Sequence, residues 1–262
     1  MVGGFAEKGY CRFGFDPALK SWAEAALPLA RAAVADPEQR ARWLVCQGTW
    51  FVGVDALPNG GDGAIGDVPL AGEAIEFAEG LFGALPLHPA QVSVVWPGYP
   101  RPRQGESEAA FRYREKRDAA HLDGVKASGA DRRRRIEEAH GWILGIPLNE
   151  AGAGASPLVV WDGSHKVMRA RLLAALNGMD EAGWGEVDVT EAYQAARQEV
   201  FETCARIELA AKPGEAYLLH RLSLHGVAPW RQGPDEGRMV AYFRPEMPGG
   251  VAEWLKGLSS LI

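Results

Sequence analysis

The pattern of apolar and polar positions changes along the chain, from helical spacing to short strand-like runs. Residues 16–46 read as helical, because Asp16-Pro17 and Asp36-Pro37 each place an N-cap residue before a proline at the first helical position. A Gly-rich loop over 48–66 follows, and a further helix is predicted over 72–82. The first third is therefore expected to be mostly helical.

From residue 91 onwards, the pattern becomes typical of strands. Short apolar runs lie close to Gly, Pro or Asn, which commonly separate strands. The predicted strands cover 91–96, 141–148, 158–161, 207–211, 216–219 and 238–243. A polar segment over 166–204 interrupts them as a helical insertion, with Thr190 as the N-cap of a helix through Val200. Helices followed by strands predict a mainly β fold with flanking helices, a β-barrel or jelly roll.

No repeat, low-complexity tract or clear linker divides the chain, so a single domain is predicted over residues 1–262. Within it, we expect a mostly helical N-terminal region over 1–90. A barrel core is expected over 91–247, carrying the helical insertion 166–204, and a C-terminal tail over 248–262.

Composition narrows the classes of function. The chain is 47% hydrophobic and 24% charged, which is typical of a globular protein. Its net charge of −6 argues against a general nucleic-acid surface, which needs a basic stripe. The most apolar early segment is too short to span a membrane, and no secretory signal opens the chain. Three distant cysteines indicate a reducing compartment, so a cytoplasmic location is predicted.

Two conspicuous motifs have ordinary interpretations. Gly61-x-Gly63-x-x-Gly66 matches the dinucleotide-binding pattern, but Pro69 follows too closely for a helix to open there, so we expect a plain loop. The basic run 131–135 follows a Ser128-x-x-Asp131 capping box, which predicts a short helix ending near residue 140 with its arginines paired. A lid whose arginines meet an anionic substrate is the alternative.

Candidate chemistry centres on His121-Leu122-Asp123. In a strand, side chains two residues apart point to the same face, so His121 and Asp123 would converge. His225 lies 102 residues after Asp123, and Arg238, 13 residues further, opens a predicted strand. Two histidines and one carboxylate form the facial triad of non-haem iron(II) oxygenases. An arginine on a neighbouring strand can hold a carboxylate through two parallel hydrogen bonds.

The stretches that carry these residues resemble the phytanoyl-CoA dioxygenase family of Fe(II)/2-oxoglutarate-dependent oxygenases. They are 120–124, 142–148, 157–166 with its Gly-Ser-His-Lys turn, and 212–238, and they fall within residues 91–246. The resemblance implies a double-stranded β-helix, a cupin-like jelly roll, with the N-terminal helical region beside it.

The resemblance also implies a site and a reaction. His121, Asp123 and His225 would hold Fe(II), and Arg238 would anchor the co-substrate 2-oxoglutarate. With O2, the enzyme would hydroxylate a small organic substrate and release succinate and CO2. Halogenating relatives lack the carboxylate that Asp123 supplies, so hydroxylation is favoured, while desaturation and epimerisation stay open. Trp142 is expected to face inward with Leu144 and wall the cofactor pocket, or else to be a core aromatic.

Two positions depart from the family. Leu122 stands where the family often has Gln, and Val227 stands where it has Ser, so polar support for the co-substrate is reduced or comes from elsewhere. These departures keep two other classes of function open. One is a cupin-like metal-binding barrel without oxygenase chemistry, an isomerase or binding protein, and the other is a scaffold that has lost turnover.

Some residues compete for the same roles. His220 is the rival of His225, which is favoured because His-Gly at a strand bend followed by an arginine is the family's pattern. Arg244, and after it Arg231, are the rivals of Arg238 as the anchor. An anionic small-molecule substrate is suggested by the run 131–135 and by Arg101, Arg103, Arg112 and Arg114. No nucleic-acid or membrane partner is expected, and the oligomeric state is left open.

Overall fold

Antiparallel strands form the frame of the protein, and helices cover them from outside. The computed structural model describes residues 2–257. The α-helices of this part are α1 Val2–Lys8, α2 Pro17–Ala35, α3 Pro37–Trp43, α4 Glu73–Phe82, α5 Glu108–Glu115, α6 Ser164–Leu176, α7 Thr190–Thr203 and α8 Gly250–Lys256. Its strands are β1 Tyr10–Phe13, β2 Leu44–Val45, β3 Trp50–Phe51, β4 Gln91–Val95, β5 Val125–Ser128, β6 Arg133–Ile136, β7 Trp142–Pro147, β8 Leu158–Trp161, β9 Arg206–Leu209, β10 Ala216–His220, β11 His225–Val227 and β12 Arg238–Phe243. None of these helices is long and apolar enough to cross a membrane.

Two antiparallel sheets face each other across a shared core. The large sheet has the order β1-β10-β7-β12-β4-β3-β2, and the small sheet has the order β11-β8-β9. Side chains from both sheets fill the space between them: Ile143, Leu158, Val160, Leu209, Tyr217, Leu219 and Val240. The arrangement is a jelly roll, which confirms the predicted fold class.

Helices cover the outer face of each sheet. Helices α2 and α4 pack on the large sheet through a cluster that includes Trp22, Leu144 and Ile146. Helices α6, α7 and α8 cover the small sheet, where Val159 and Trp161 point outward. Both sheets are therefore buried on both faces, and the barrel interior is shielded from the surrounding water on its sides.

Capping residues fix where the first helices begin, as the sequence predicts. The Asp16 carboxylate accepts a hydrogen bond from the Ala18 amide at 2.8 Å, and Asp36 accepts one from the Glu38 amide at 2.7 Å. Trp22 of α2 then donates its indole N–H to the Gly63 carbonyl at 2.8 Å. This contact ties the Gly-rich loop to the helical layer, and α4 begins only at Glu73, so no helix opens at Gly66.

The alternation along β7 is opposite to the predicted one. Trp142, Leu144 and Ile146 point toward the helices, whereas Ile143 points into the space between the sheets. All six residues of β7 are buried. Because both faces of this strand are covered, its apolar pattern does not indicate which face is the barrel interior.

The basic run 131–135 belongs to a β-hairpin, and the predicted helix is wrong. Strands β5 and β6 pair with Ser128 opposite Arg133 and Val125 opposite Ile136. Alternate residues of β6 pack inward, since Ile136 is buried and Arg134 lies 4.5 Å from the Tyr193 ring centroid. This period of two overrides the helical spacing of the charges.

Both ends of the chain contribute more regular structure than predicted. Strands β1, β2 and β3, from the region expected to be helical or loop, join the large sheet. Thr190 is the first residue of α7 rather than its cap, and the Asp188 carboxylate accepts from its amide at 2.9 Å. In the predicted tail 248–262, α8 buries Trp254 and Leu255, and residues 258–262 lie outside the described part.

Truncation of a helix-facing residue of β7 tests the packing of this layer. Leu144 is fully buried, so Leu144→Ala is expected to lower the free energy of unfolding by about 2–5 kcal/mol. Met179 is 47% exposed, and Met179→Ala should change it by less than about 0.5 kcal/mol. Urea unfolding of both variants measures the difference, and equal values would contradict the burial of Leu144.

Candidate metal centre

Two backbone hydrogen bonds place the first predicted histidine beside the second. The His121 amide donates to the His225 carbonyl at 2.8 Å, and the His225 amide donates to the His121 carbonyl at 3.0 Å. The segment around His121 thereby extends the small sheet beyond β11. The two imidazole ring centroids are 4.5 Å apart. Residues 104 positions apart in the sequence are brought together by this pairing.

Gly226 permits this close approach. A Cβ atom at position 226 would lie 2.1 Å from the Asp118 carbonyl oxygen and 3.1 Å from the Ala120 backbone. The Val227 amide donates to that same Asp118 carbonyl at 2.7 Å. Only a residue without a side chain fits between β11 and the segment that carries the first two site residues.

An ion pair fixes the segment that precedes His121. The Asp118 carboxylate is buried and accepts two hydrogen bonds from Arg206 of β9, at 2.7 and 2.8 Å. Asp118 and Ala119 both have positive φ, 51° and 54°. Because such conformations are costly for residues with a side chain, a bidentate contact that holds them stabilises the turn into the site.

The carboxylate of Asp123 completes a group of three ligands. Its Oδ1 atom lies 3.3 Å from His121 Nε2 and 3.7 Å from His225 Nε2. One ligand atom from each residue can be chosen so that all three lie within 4.8 Å of one another. Atoms about 2 Å from a shared ion and at right angles to each other are about 3 Å apart. The three residues can therefore hold one octahedral metal ion once their ligand atoms move closer together.

Hydrogen bonds to the outer ring nitrogens select the metal-binding tautomer. His121 Nδ1 lies 3.1 Å from the Ala119 carbonyl oxygen, and His225 Nδ1 lies 3.0 Å from the Ser223 carbonyl oxygen. A carbonyl only accepts, so each Nδ1 carries the hydrogen and each Nε2 keeps its lone pair for a metal. Sequence reasoning did not identify these carbonyls.

Burial and neighbouring charges favour the protonation states in which His225 and Asp123 bind a metal. Burial, together with the neighbouring His121, lowers the pKa of His225 to about 4, so its imidazole is neutral near pH 7. Burial alone would raise the pKa of Asp123, but His225 and Arg244 hold it well below the ordinary value. Arg244 Nη1 lies 3.4 Å from Asp123 Oδ2, the oxygen that faces away from the histidines. A neutral imidazole and an ionised carboxylate are the forms that bind a divalent cation.

The triad opens into a cavity between the sheets, here called the metal cavity, with a volume of about 140 Å³. Its apolar walls are formed by Trp50, Val52, Val54, Ile143, Leu158 and Val227. Its other polar residues are Gln91, Ser93, Tyr242 and Arg244. An adjoining outer cavity of about 130 Å³ shares four of these residues, Val54, Gln91, Tyr242 and Arg244. The two cavities therefore lie side by side and share a wall.

Arg238 lies on the inward face of β12, two positions before Val240. Its side chain is buried, and its Nε and Nη2 atoms have no hydrogen-bond partner within the described residues. Burial favours the neutral guanidine, but the phenol groups of Tyr242 and Tyr217 raise the pKa of Arg238. No carboxylate among residues 2–257 forms an ion pair with it. A buried cation without a counter-ion is costly, so this position is suited to an anionic ligand.

Of the rival residues, Arg244 lines the metal cavity and contacts Asp123, whereas the others lie elsewhere. His220 packs against His165, with ring centroids 4.8 Å apart, and its Nδ1 accepts from the Leu222 amide at 3.0 Å. Arg231 is half exposed and is bound by Glu208 at 2.6 Å. Trp142 lines a separate groove on the helix side of the large sheet, so the structure does not bring it to the triad.

The arginine run is also remote from the triad. Arg133 is paired with Asp188 at 2.6 Å, and Arg135 is paired with Asp131 at 3.0 Å. Neither arginine lines the metal cavity or the outer cavity. Two of the four arginine charges of the run are therefore compensated by carboxylates within and beside the hairpin.

Several cavity residues were not identified from the sequence. Gln91 and Tyr242 face each other in the register of β4 and β12. Tyr242 lies four residues after Arg238, so the predicted strand 238–243 already places both residues on the same face. Trp50 and Val52 were hidden, because the segment that contains them was predicted to be a loop.

Solved structures of other proteins share this architecture. The non-haem α-ketoglutarate-dependent carbocyclase SnoK from nogalamycin biosynthesis matches with a TM-score of 0.54 at 15% identity, over 98% of this chain and 89% of that chain. The epimerase SnoN, in complex with Fe³⁺, α-ketoglutarate and nogalamycin RO, matches with 0.50 at 14% identity, over 98% and 88%. These likenesses show the fold, a double-stranded β-helix. No protein-family model and no curated protein matches the sequence, so membership of the phytanoyl-CoA dioxygenase family stays a prediction.

Replacement of a ligand tests the metal centre directly. His225→Ala is expected to weaken binding of Fe(II) or Co(II) by more than about 100-fold, since even outer partners of metal ligands contribute about 10- to 100-fold. His220→Gln keeps an acceptor for the Leu222 amide and should bind the metal as the wild type does. Anaerobic calorimetric titration measures the metal affinity of both variants. Loss of metal binding in His220→Gln, with normal binding in His225→Ala, would show that His220 is the ligand instead.

The glycine between the ligand-bearing segments gives a second prediction. Gly226→Ala should lower the free energy of unfolding by about 1–3 kcal/mol and weaken metal binding about tenfold or more, because the new methyl group displaces the Asp118 backbone. Gly183 has open space at its Cβ position, so Gly183→Ala is the control. Normal metal affinity in Gly226→Ala would show that the close approach is not required.

Proposed function

We propose that this protein is a non-haem Fe(II)- and 2-oxoglutarate-dependent dioxygenase that hydroxylates a small organic substrate. The observation that carries the proposal is the buried guanidinium of Arg238, which has no counter-ion among residues 2–257 and lies inside the barrel that also holds His121, Asp123 and His225. A metal centre and a separate anion site in one interior suit a ligand that chelates a metal at one end and carries a carboxylate at the other.

The ligand set favours ferrous iron. Two imidazoles and one carboxylate are the facial triad of non-haem iron(II) oxygenases, which leaves three positions for other ligands. The Nδ1 contacts and the Arg244 contact keep these donors oriented. The neighbours SnoK and SnoN are α-ketoglutarate-dependent enzymes, and SnoN was solved with Fe³⁺, in agreement with this choice.

Each part of the site has a role in the proposed reaction. When bound, iron with 2-oxoglutarate and O2 would supply the oxidising chemistry that releases succinate and CO2 and hydroxylates an unactivated C–H bond. His121, Asp123 and His225 would hold the metal. Arg238 would bind the distal carboxylate, and the apolar walls of the metal cavity would exclude water. The outer cavity would admit the substrate.

The buried side chain of Arg238 distinguishes the proposed function from its alternative. A cupin-like metal-binding barrel without oxygenase chemistry has no use for a buried, uncompensated cation in its interior. Hydroxylation is the proposed outcome because Asp123 keeps the third protein ligand in place. In the arginine run 131–135, Arg133 and Arg135 are paired with neighbouring carboxylates and no residue of the run lines either cavity, so the run lends no support to an anionic substrate.

Succinate release provides the test. A screen of small organic acids, amines and alcohols with Fe(II), 2-oxoglutarate and O2 should find compounds that stimulate succinate formation. Arg238→Gln should raise the KM for 2-oxoglutarate about 10- to 150-fold, the equivalent of about 1.5–3 kcal/mol for hydrogen bonds to a charged group. Arg231→Gln, at an exposed position, should leave that KM unchanged.

Two results would contradict parts of the proposed function. Absence of 2-oxoglutarate binding to the Fe(II) protein, seen as no visible charge-transfer band under anaerobic conditions, would overturn the assignment. A normal KM in Arg238→Gln would instead remove Arg238 as the anchor.

A further inference from the structure

A third cavity lies on the outer face of the large sheet, between β7 and helix α4, and is here called the helix-side groove. Its volume of about 430 Å³ exceeds that of the metal cavity and of the outer cavity, and it falls in the range of about 300–1,000 Å³ that is typical of small-molecule sites. Its apolar walls are formed by Leu70, Ile75, Leu85, Pro86, Leu87 and Trp142. Ile143, the residue after Trp142, lines the metal cavity instead, so the sheet separates the two spaces.

The loop with the Gly61-x-Gly63-x-x-Gly66 pattern forms one rim of the helix-side groove. Gly61 and Asp62 line the groove, and the Leu87 amide donates to the Gly61 carbonyl at 2.8 Å. Gly63 has a φ of 83°, and a Cβ atom there would lie 2.5 Å from Leu70 and 2.9 Å from Leu87, two residues of the apolar walls. A hydrogen bond and close packing therefore fix this rim against the walls.

The charged residues that line the helix-side groove are both acidic. They are Asp62 on the rim and Glu79 of α4, and both are exposed. The Ala64 amide donates to Asp62 Oδ1 at 3.0 Å, which orients this carboxylate without neutralising it. Neither carboxylate forms an ion pair with a basic side chain of residues 2–257, and no lysine or arginine of that part lines the groove. The groove therefore attracts a cation.

The indole of Trp142 has a hydrogen-bond donor without an acceptor. Trp142 is only 2% exposed, and its Nε1–H group has no partner within the described residues. A buried N–H group that lacks an acceptor is unfavourable, and this cost is removed when an acceptor atom reaches it. Because the indole ring is part of the groove wall, a molecule bound in the groove can supply that acceptor.

We propose that the helix-side groove binds a small organic cation that has an apolar body and one hydrogen-bond acceptor. The apolar walls would hold the body, and Asp62 and Glu79 would attract the ammonium group at the rim. The Trp142 indole would donate to the acceptor, such as an ether or hydroxyl oxygen. This site is separate from the metal centre, because the large sheet lies between them, and it does not rest on the proposed function.

Four matched probes separate the contribution of the charge from that of the acceptor. Cyclohexyloxypropylamine carries the apolar ring, an ether oxygen and an ammonium group. Cyclohexyloxypropanol lacks the charge, cyclohexyloxypropionate reverses it, and cyclohexylbutylamine has a methylene group in place of the ether oxygen. Binding is followed through the indole N–H signals of the nine tryptophans in two-dimensional NMR spectra. The Trp142 signal is the one that is missing from the spectrum of Trp142→Phe.

The cationic ether is expected to bind most tightly and to move the Trp142 signal to higher frequency, because the indole N–H gains an acceptor. Its affinity should exceed that of the alcohol about three- to tenfold, as expected for two exposed ion pairs. It should exceed that of cyclohexylbutylamine about two- to tenfold, as expected for one hydrogen bond.

Variants assign each preference to its residue. Combined Asp62→Asn and Glu79→Gln substitutions should abolish the preference for the amine over the alcohol, and Trp142→Phe should abolish the preference for the ether over the hydrocarbon. Glu76 is also exposed on α4 but does not line the groove, so Glu76→Gln is the matched control and should keep both preferences.

Several results would overturn the proposal. Equal affinity of the wild type for the amine and the alcohol, or tighter binding of the propionate, would show that the groove does not select a cation. Binding that leaves the Trp142 signal unmoved would place the probe elsewhere on the protein, and no binding of any probe up to its solubility limit would exclude the site. Thermal unfolding checks that Trp142→Phe is folded. If this variant does not fold, equal affinity of the wild type for the two amines would still exclude the indole contact.

Discussion

The candidate site depends on the pair of backbone hydrogen bonds between His121 and His225. They join a segment that belongs to no long strand to the edge of the small sheet, and they do so at the point where Gly226 allows the two backbones to touch. Once this pairing is made, strand alternation directs His121 and Asp123 to the same side as His225. Backbone geometry thus brings the three candidate ligands together.

Sequence patterns predicted the separate segments of the site, but not that these segments come together in the fold. The convergence of His121 and Asp123 follows from strand alternation alone, and their proximity to His225 rested on the resemblance, because spacing cannot show which distant segments pair. The orientation of Trp142 was wrong because β7 is buried on both faces, which removes the polar reference for the barrel interior. Strand β3 has only two residues, too few for a period of two to be recognised.

Charge is distributed unequally between the surface and the interior. Arg133 and Arg135 of the hairpin have carboxylate partners beside them, as does Arg231. Arg238, which is far more costly to leave unpaired, has none within the described residues. Stability alone would favour an apolar residue at this position, since a buried charge is a poor stabiliser. The barrel interior therefore contains an uncompensated positive charge, which a bound anion would neutralise.

Strand β12 fixes the spacing between several polar side chains of the interior. Arg238, Tyr242 and Arg244 project from one face of a single extended segment, in which two residues advance the chain by about 6.6 Å. Loss of one residue from this strand would turn every one of these groups outward at once, and no neighbouring strand could restore them. Insertions in the surrounding loops carry no such penalty. Descendants of this protein could accordingly reshape the loops around the cavities, while the distance from the three candidate ligands to Arg238 is inherited unchanged with the backbone.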